Sequence, residues 1–139
     1  LGFNGNYVDT EIVEINLLSS THAVGDRLDY SPKYSLALTA TQNFEWGGKP
    51  GSIRLDYNQQ DKMLLTNRSY NPPSFVSSSS DIIRMLNADV EWQWSEKVSF
   101  GIFGKNLLND RGFIDPLAIL DLSSRSRPRT FGLKLGVDF

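Results

Sequence analysis

The chain of 139 residues contains no cysteine, which excludes a disulfide framework, a thiolate nucleophile and a thiolate metal site. It contains one histidine, His22, so no His-pair metal motif exists, and a Ser-His-Asp arrangement would depend on a single loop residue. A basic surplus is also missing. There are 14 Lys+Arg against 16 Asp+Glu, a formal net charge of -2, which argues against a nucleic-acid partner. No run of about 18 apolar residues occurs, so no transmembrane helix is predicted. That leaves open a membrane β-barrel, whose lipid face recurs only at every second residue, so that its mean hydropathy resembles that of a soluble protein. Leu1-Gly2-Phe3-Asn4-Gly5 has neither the charged region nor the apolar stretch of a signal peptide. Export would require a signal already removed, or an N-terminal part outside this stretch.

What is present has period two. From Tyr34 to Trp46, the set Tyr34, Leu36, Leu38, Ala40, Gln42, Phe44, Trp46 alternates with Ser35, Ala37, Thr39, Thr41, Asn43, Glu45. Ile53, Leu55 and Tyr57 alternate with Arg54, Asp56 and Asn58 in a strand running to Gln60. From Leu86, the set Leu86, Ala88, Val90, Trp92, Trp94 alternates with Asn87, Asp89, Glu91, Gln93, Ser95. Val98, Phe100 and Ile102 begin a strand that reaches Lys105, and Phe131, Leu133, Leu135, Val137 and Phe139 mark a final one. A first strand is expected around Tyr7 to Ile15, where apolar residues fall in both phases. On the apolar faces of the last five strands no charge appears. Glu45, Arg54, Asp56, Asp89, Glu91, Lys105, Lys134 and Asp138 all lie opposite.

Connections alternate in length. Trp46 to Gly51 and Trp94 to Lys97 are tight turns, whereas Asn16 to Pro32, Met63 to Ile82 and Asn109 to Pro128 are long. The middle segment, with Asn71-Pro72-Pro73 and Ser77 to Ser80, reads as an exposed, mobile loop. Short turns on one side and long loops on the other suit an outer-membrane barrel. Phe44, Trp46, Trp92, Trp94 and Phe139 all fall at the short-turn side, where they would form an aromatic girdle at a membrane interface. The expected fold is all-β: an antiparallel up-and-down meander of about six long strands.

The C-terminal third carries a resemblance. Asn106-Leu107-Leu108-Asn109-Asp110-Arg111, after the strand from Val98, and Arg127-Pro128-Arg129-Thr130-Phe131-Gly132, leading into the last strand, resemble the end of a TonB-dependent outer-membrane receptor. Gly25-Asp26-Arg27-Leu28 to Tyr30-Ser31-Pro32 is similar to that family's approach to a down-going strand. The resemblance implies a barrel of about 22 strands around an N-terminal plug. It also implies import of a scarce nutrient, such as a ferric siderophore, cobalamin, haem or glycan, with energy passed through TonB, in a Gram-negative outer membrane. Six strands fall short of the roughly eight that the smallest membrane barrels need. Residues 1–139 are therefore expected to be the C-terminal barrel segment, with the plug and the N-terminal strands elsewhere. Such a segment is expected not to fold alone and to aggregate without detergent. Phe131, Leu133, Leu135, Val137 and Phe139 also resemble the terminal signal strand read by the barrel-assembly machinery.

Candidate chemistry is sparse, and no cofactor or metal is expected. Asp89 and Glu91 share a face, but a wet wall with Arg54, Lys105 or Lys134 as counter-charge explains them better than acid–base catalysis. His22 is a weak candidate for ligand contact. Arg68 and Tyr70 in the middle loop, and Asp115, Arg125, Arg127 and Arg129 around the last, are residue types that meet anionic or aromatic ligands. Gly132 and Gly136 would leave room on the inner face for a plug or for close backbone approach. The competing classes are a small porin-like barrel and a soluble ligand-binding β-domain; an enzyme fits least.

Overall fold

A computed structural model describes residues 1–16, 22–70, 73–116 and 124–138, with backbone alone over 67–70 and 73–77. The described residues form strands and connections, with no helix. The strands are β1 (Gly2–Tyr7), β2 (Tyr34–Trp46), β3 (Lys49–Gln60), β4 (Leu64–Tyr70), β5 (Pro73–Ser79), β6 (Ile83–Ser95), β7 (Val98–Lys105) and β8 (Thr130–Val137). Six of them make one antiparallel sheet in the order β1-β2-β3-β6-β7-β8, and β4-β5 form a separate hairpin between β3 and β6 in sequence. Neighbours in the large sheet follow chain order except where this hairpin intervenes, so the sheet is a meander.

The register carries the period-two pattern across the sheet. Leu38 lies opposite Tyr57, Leu55 opposite Ala88, Val90 opposite Ile102, and Ile102 opposite Leu133. One face thus gathers the apolar set of every strand, as the alternation requires. The opposite face gathers Arg54 beside Asp89, and Glu91, Gly101 and Lys134 in one row.

Two connections are as tight as expected. Gly47 and Gly48 join β2 to β3 with φ of 61° and 72°, the mirror-image turn whose twist suits a hairpin and which glycine adopts without strain. β3 therefore begins at Lys49, earlier than its alternation suggests. At the other tight turn the register shifts between Gln93 and Ser95, a bulge at Trp94, whose ring packs edge-on against Trp92.

Two expectations are corrected. The first strand is not Tyr7 to Ile15 but Gly2–Tyr7. Its partner β2 begins at Tyr34, opposite Tyr7, so pairing stops there. Beyond it the chain turns to loop partners: Val8 N donates to Lys33 O, and Ile12 N to Asp26 O. The middle loop is not unstructured, because most of it is the β4-β5 hairpin. Ser80 closes its base, with Met63 N donating to Ser80 Oγ and Ser80 N to Met63 O.

No described hydrophobic residue is fully covered as a core residue would be. Leu133 is 81 % exposed and Leu135 66 %. The accessible surface, 10074 Å², compares with roughly 7200 Å² for a compact monomer of this mass. Among the described residues the sheet is one layer, with no second sheet or helix over either face.

Candidate functional site

Three parts of the sheet carry organised side chains: the two ends of its apolar face, the charged face, and the long-connection end. At the short-turn end, all three tryptophans of the protein meet. The ring centroids of Trp46 and Trp92 are 5.1 Å apart, Trp92 and Trp94 pack edge-on at 5.3 Å, and Trp94 meets Phe100 edge-on at 6.2 Å. Trp92 Nε1 donates to Trp46 O at 3.3 Å. The Phe44 ring lies over Gly51, the cross-strand position beneath it. Four of the five aromatic residues picked from sequence therefore share this end; Phe139 lies outside the described residues.

The opposite end of the same face has a second aromatic row that period-two reasoning had not singled out. Tyr7 lies directly opposite Tyr34. Gln59 links Tyr34 to Tyr57: its Nε2 donates to Tyr34 Oη at 3.0 Å, and its Oε1 accepts from Tyr57 Oη at 2.6 Å. The signal was available, since Tyr7, Tyr34 and Tyr57 sit in the apolar phase next to the long connections. Tyr34 and Trp46 bracket β2, twelve residues apart, about 40 Å along the strand. Charged side chains in the apolar phase occur only at the margins of these strands, Lys49 at the tight turn and Arg84 at the far end.

The charged face is internally paired. Arg54 binds both carboxylate oxygens of Asp56 through Nε at 3.0 and 3.1 Å, and Thr39 Oγ1 donates to Asp56 Oδ1 at 2.8 Å. Lys134 reaches across β7 to Asp89 and, at 2.9 Å, to Glu91. It does so over Gly101, where an added Cβ would come within 3.3 Å of both Glu91 Cγ and Lys134 Cβ. Asp89 and Glu91 thus share Lys134 as their counter-charge. Gly132 and Gly136 do not leave open room. The Phe103 ring covers the first and the Ser99 hydroxyl the second.

At the long-connection end, Asn106 is the organising residue. It is 3 % exposed and has φ of 49°, in the left-handed region that asparagine tolerates. Its Nδ2 donates to Asp110 O at 2.8 Å and Arg127 O at 2.6 Å, and its Oδ1 accepts from Asp110 N at 3.0 Å. Asp110 in turn accepts from Arg84 N and Gly112 N, and Asn109 Oδ1 accepts from Arg129 N. The Asn106 to Arg111 stretch therefore ties the last connection to the sheet. Phe113 bridges to Arg125, whose guanidinium lies 3.8 Å over the Phe113 ring. Phe113 also exchanges bonds with Asp81 at the base of the hairpin. On the hairpin's other side, Asp29 accepts from Thr66 N at 2.9 Å and meets His22 Nε2 at 2.9 Å. All three long connections are thereby joined into one assembly.

Of the candidate ligand residues, Arg125 and Arg127 come together on the last connection, beside Asn106. Asp115 lies on that connection but does not line the same recess. The side chains of Arg68 and Tyr70 lie outside the described residues. His22 is occupied by Asp29, and no cluster of three or more metal-ligating side chains occurs among the described residues. Compared with protein-family models, curated proteins and solved structures, the chain gives no match.

Proposed function

We propose that this chain is a wall segment of a larger outer-membrane β-barrel, the C-terminal part of a TonB-dependent receptor that imports a scarce nutrient such as a ferric siderophore. The observation that carries this reading is the uncovered apolar face, free of charge between a tryptophan row and a tyrosine row. In water, such a face would be covered by a second layer, as in a sandwich or a closed soluble barrel. In a bilayer it needs no cover, and amphipathic rings at its two ends suit the two interfaces. Its opposite face, with Arg54–Asp56 and Lys134–Asp89–Glu91 paired, suits a hydrated interior.

The open edges support the larger barrel. β1 and β8 each have one unpaired side, and each unpaired backbone group in hydrocarbon would cost several kcal/mol. Further strands of the same barrel would satisfy them, and the plug would occupy the interior. β8, with Phe131, Leu133, Leu135 and Val137 along its apolar side, would be the strand met by the barrel-assembly machinery. The joined long connections would face outward as the ligand-receiving end, and the role is transport rather than bond-making.

Tryptophan fluorescence tests this reading, because Trp46, Trp92 and Trp94 share one place. In liposomes holding the full-length protein, lipids brominated near the headgroup should quench these residues more strongly than lipids brominated at the chain ends. Emission indifferent to both, with the protein in the aqueous fraction, would reject it in favour of a soluble β-domain.

A further inference from the structure

The charged face has one recess in which cations outnumber their counter-ions. It lies where the last connection folds back over the ends of β3, β6, β7 and β8, and its volume is about 740 Å³. Lys105 lines it from the sheet, and Arg125 and Arg127 line it from the connection. None of the described residues that line it is acidic. Elsewhere on this face the cations are matched: Arg54 occupies Asp56, and Lys134 occupies Asp89 and Glu91. Among the described residues, neither Lys105 nor Arg127 has an ion-pair partner. Met85, Ile114 and Pro128 add apolar surface, while Asn58 and Asn87 add amide groups.

The recess is also built to hold its shape. Asn106 fixes the carbonyl of Arg127, and Ser126, 5 % exposed, donates through Oγ to Asp110 O at 2.6 Å. The two residues that bring the arginines to the sheet are therefore among the most buried polar groups described. A volume of this order accommodates a small organic molecule, and exposed cations lining a partly apolar recess without ion-pair partners favour one carrying several negative charges.

We propose that this recess binds an organic polyanion, a compact molecule with an apolar body and two or more carboxylate or sulfonate groups. Lys105 meets one anionic group from the sheet, Arg127 meets another from the connection, and Met85, Ile114 and Pro128 pack against the body. Arg125, already over Phe113, lends charge to the rim. The proposal rests on the charged face being the interior wall of a barrel, and it names the class of ligand that wall would receive.

The test uses the full-length protein in detergent with the fluorescent trisulfonate 8-hydroxypyrene-1,3,6-trisulfonate as probe, read by anisotropy. Saturable binding is expected. Benzene-1,3,5-tricarboxylate should displace the probe, and benzene-1,3,5-trimethanol, the uncharged molecule of similar shape, should not. Lys105→Gln and Arg127→Gln should each weaken binding at least tenfold, and Lys105→Arg should restore most of it. Lys49→Gln, the same charge change at the far end of the sheet, should alter it less than twofold. Absence of saturable binding, equal displacement by the triol, or equal effects of Lys49→Gln and Lys105→Gln would overturn the proposal. Quenching by brominated lipids is read separately, so failure of the membrane reading and failure of this site are distinct results.

Discussion

At the scale of single residues, two positions carry opposite kinds of information. Leu133 lies midway along the edge strand β8, on the apolar face, and is 81 % exposed. If that face meets hydrocarbon, Leu133→Lys should destabilise the full-length protein by about 2–4 kcal/mol. Asn43→Lys, on the charged face, should change stability by no more than about 0.5 kcal/mol, as surface substitutions usually do. Urea unfolding in lipid vesicles measures both. Asn106 carries its information through hydrogen bonds. Asn106→Ala removes three side-chain bonds from a buried site and places alanine at a positive φ, so a loss of about 1–3 kcal/mol is expected. The sharper readout is hydrogen exchange. The amides of Asp110 and Ser126 should lose protection in the variant while those of β2 and β3 keep theirs.

At the scale of elements, the turns and strands were unequally legible. β2, β6 and β8 stand out because aliphatic and aromatic side chains recur at every second position over most of their length. β1 was displaced toward Tyr7–Ile15 because Gly2-Phe3-Asn4-Gly5-Asn6 has little β preference of its own. It becomes a strand because β2 offers it a partner. The β4-β5 hairpin was read as a loop for the same reason, since serines and prolines dominate it and pairing overrides their preference. The role of Asn106 was hidden differently: its motif could be seen, but the carbonyl of Arg127, 21 residues away, could not. The turn after Trp46 was legible but read as reaching Gly51, whereas only Gly47 and Gly48 form it, and it gives a direct test. Gly47→Val places a β-branched residue at φ 61° and should cost about 1–3 kcal/mol in unfolding measurements, whereas Ser95→Ala at the other tight turn should cost less.

At the scale of the whole molecule, the decisive fact is that one sheet has two faces of different chemistry and, among the described residues, no second layer of secondary structure over either. The charged face holds ion pairs within a strand, Arg54–Asp56, and across strands, Lys134 with Asp89 and Glu91, and the apolar face ends in rings on both sides. The three long connections, tied through Asp29, Asp81 and Asn106, make the only elaborated end among the described residues. A barrel wall in a membrane accounts for all three features together; a soluble domain would leave the open apolar face unexplained. The measurement that bears most directly on this is a nitroxide scan of β2. Single cysteines are introduced from Ser35 to Asn43 in the full-length protein, spin-labelled, and examined in liposomes for collisions with oxygen and with a water-soluble nickel chelate. The account predicts a period of two, with oxygen collisions highest at Leu36, Leu38, Ala40 and Gln42 and nickel collisions highest at Ala37, Thr39, Thr41 and Asn43. Nickel access at the even positions equal to that at the odd ones, or protection of the even positions from both reagents, would contradict it.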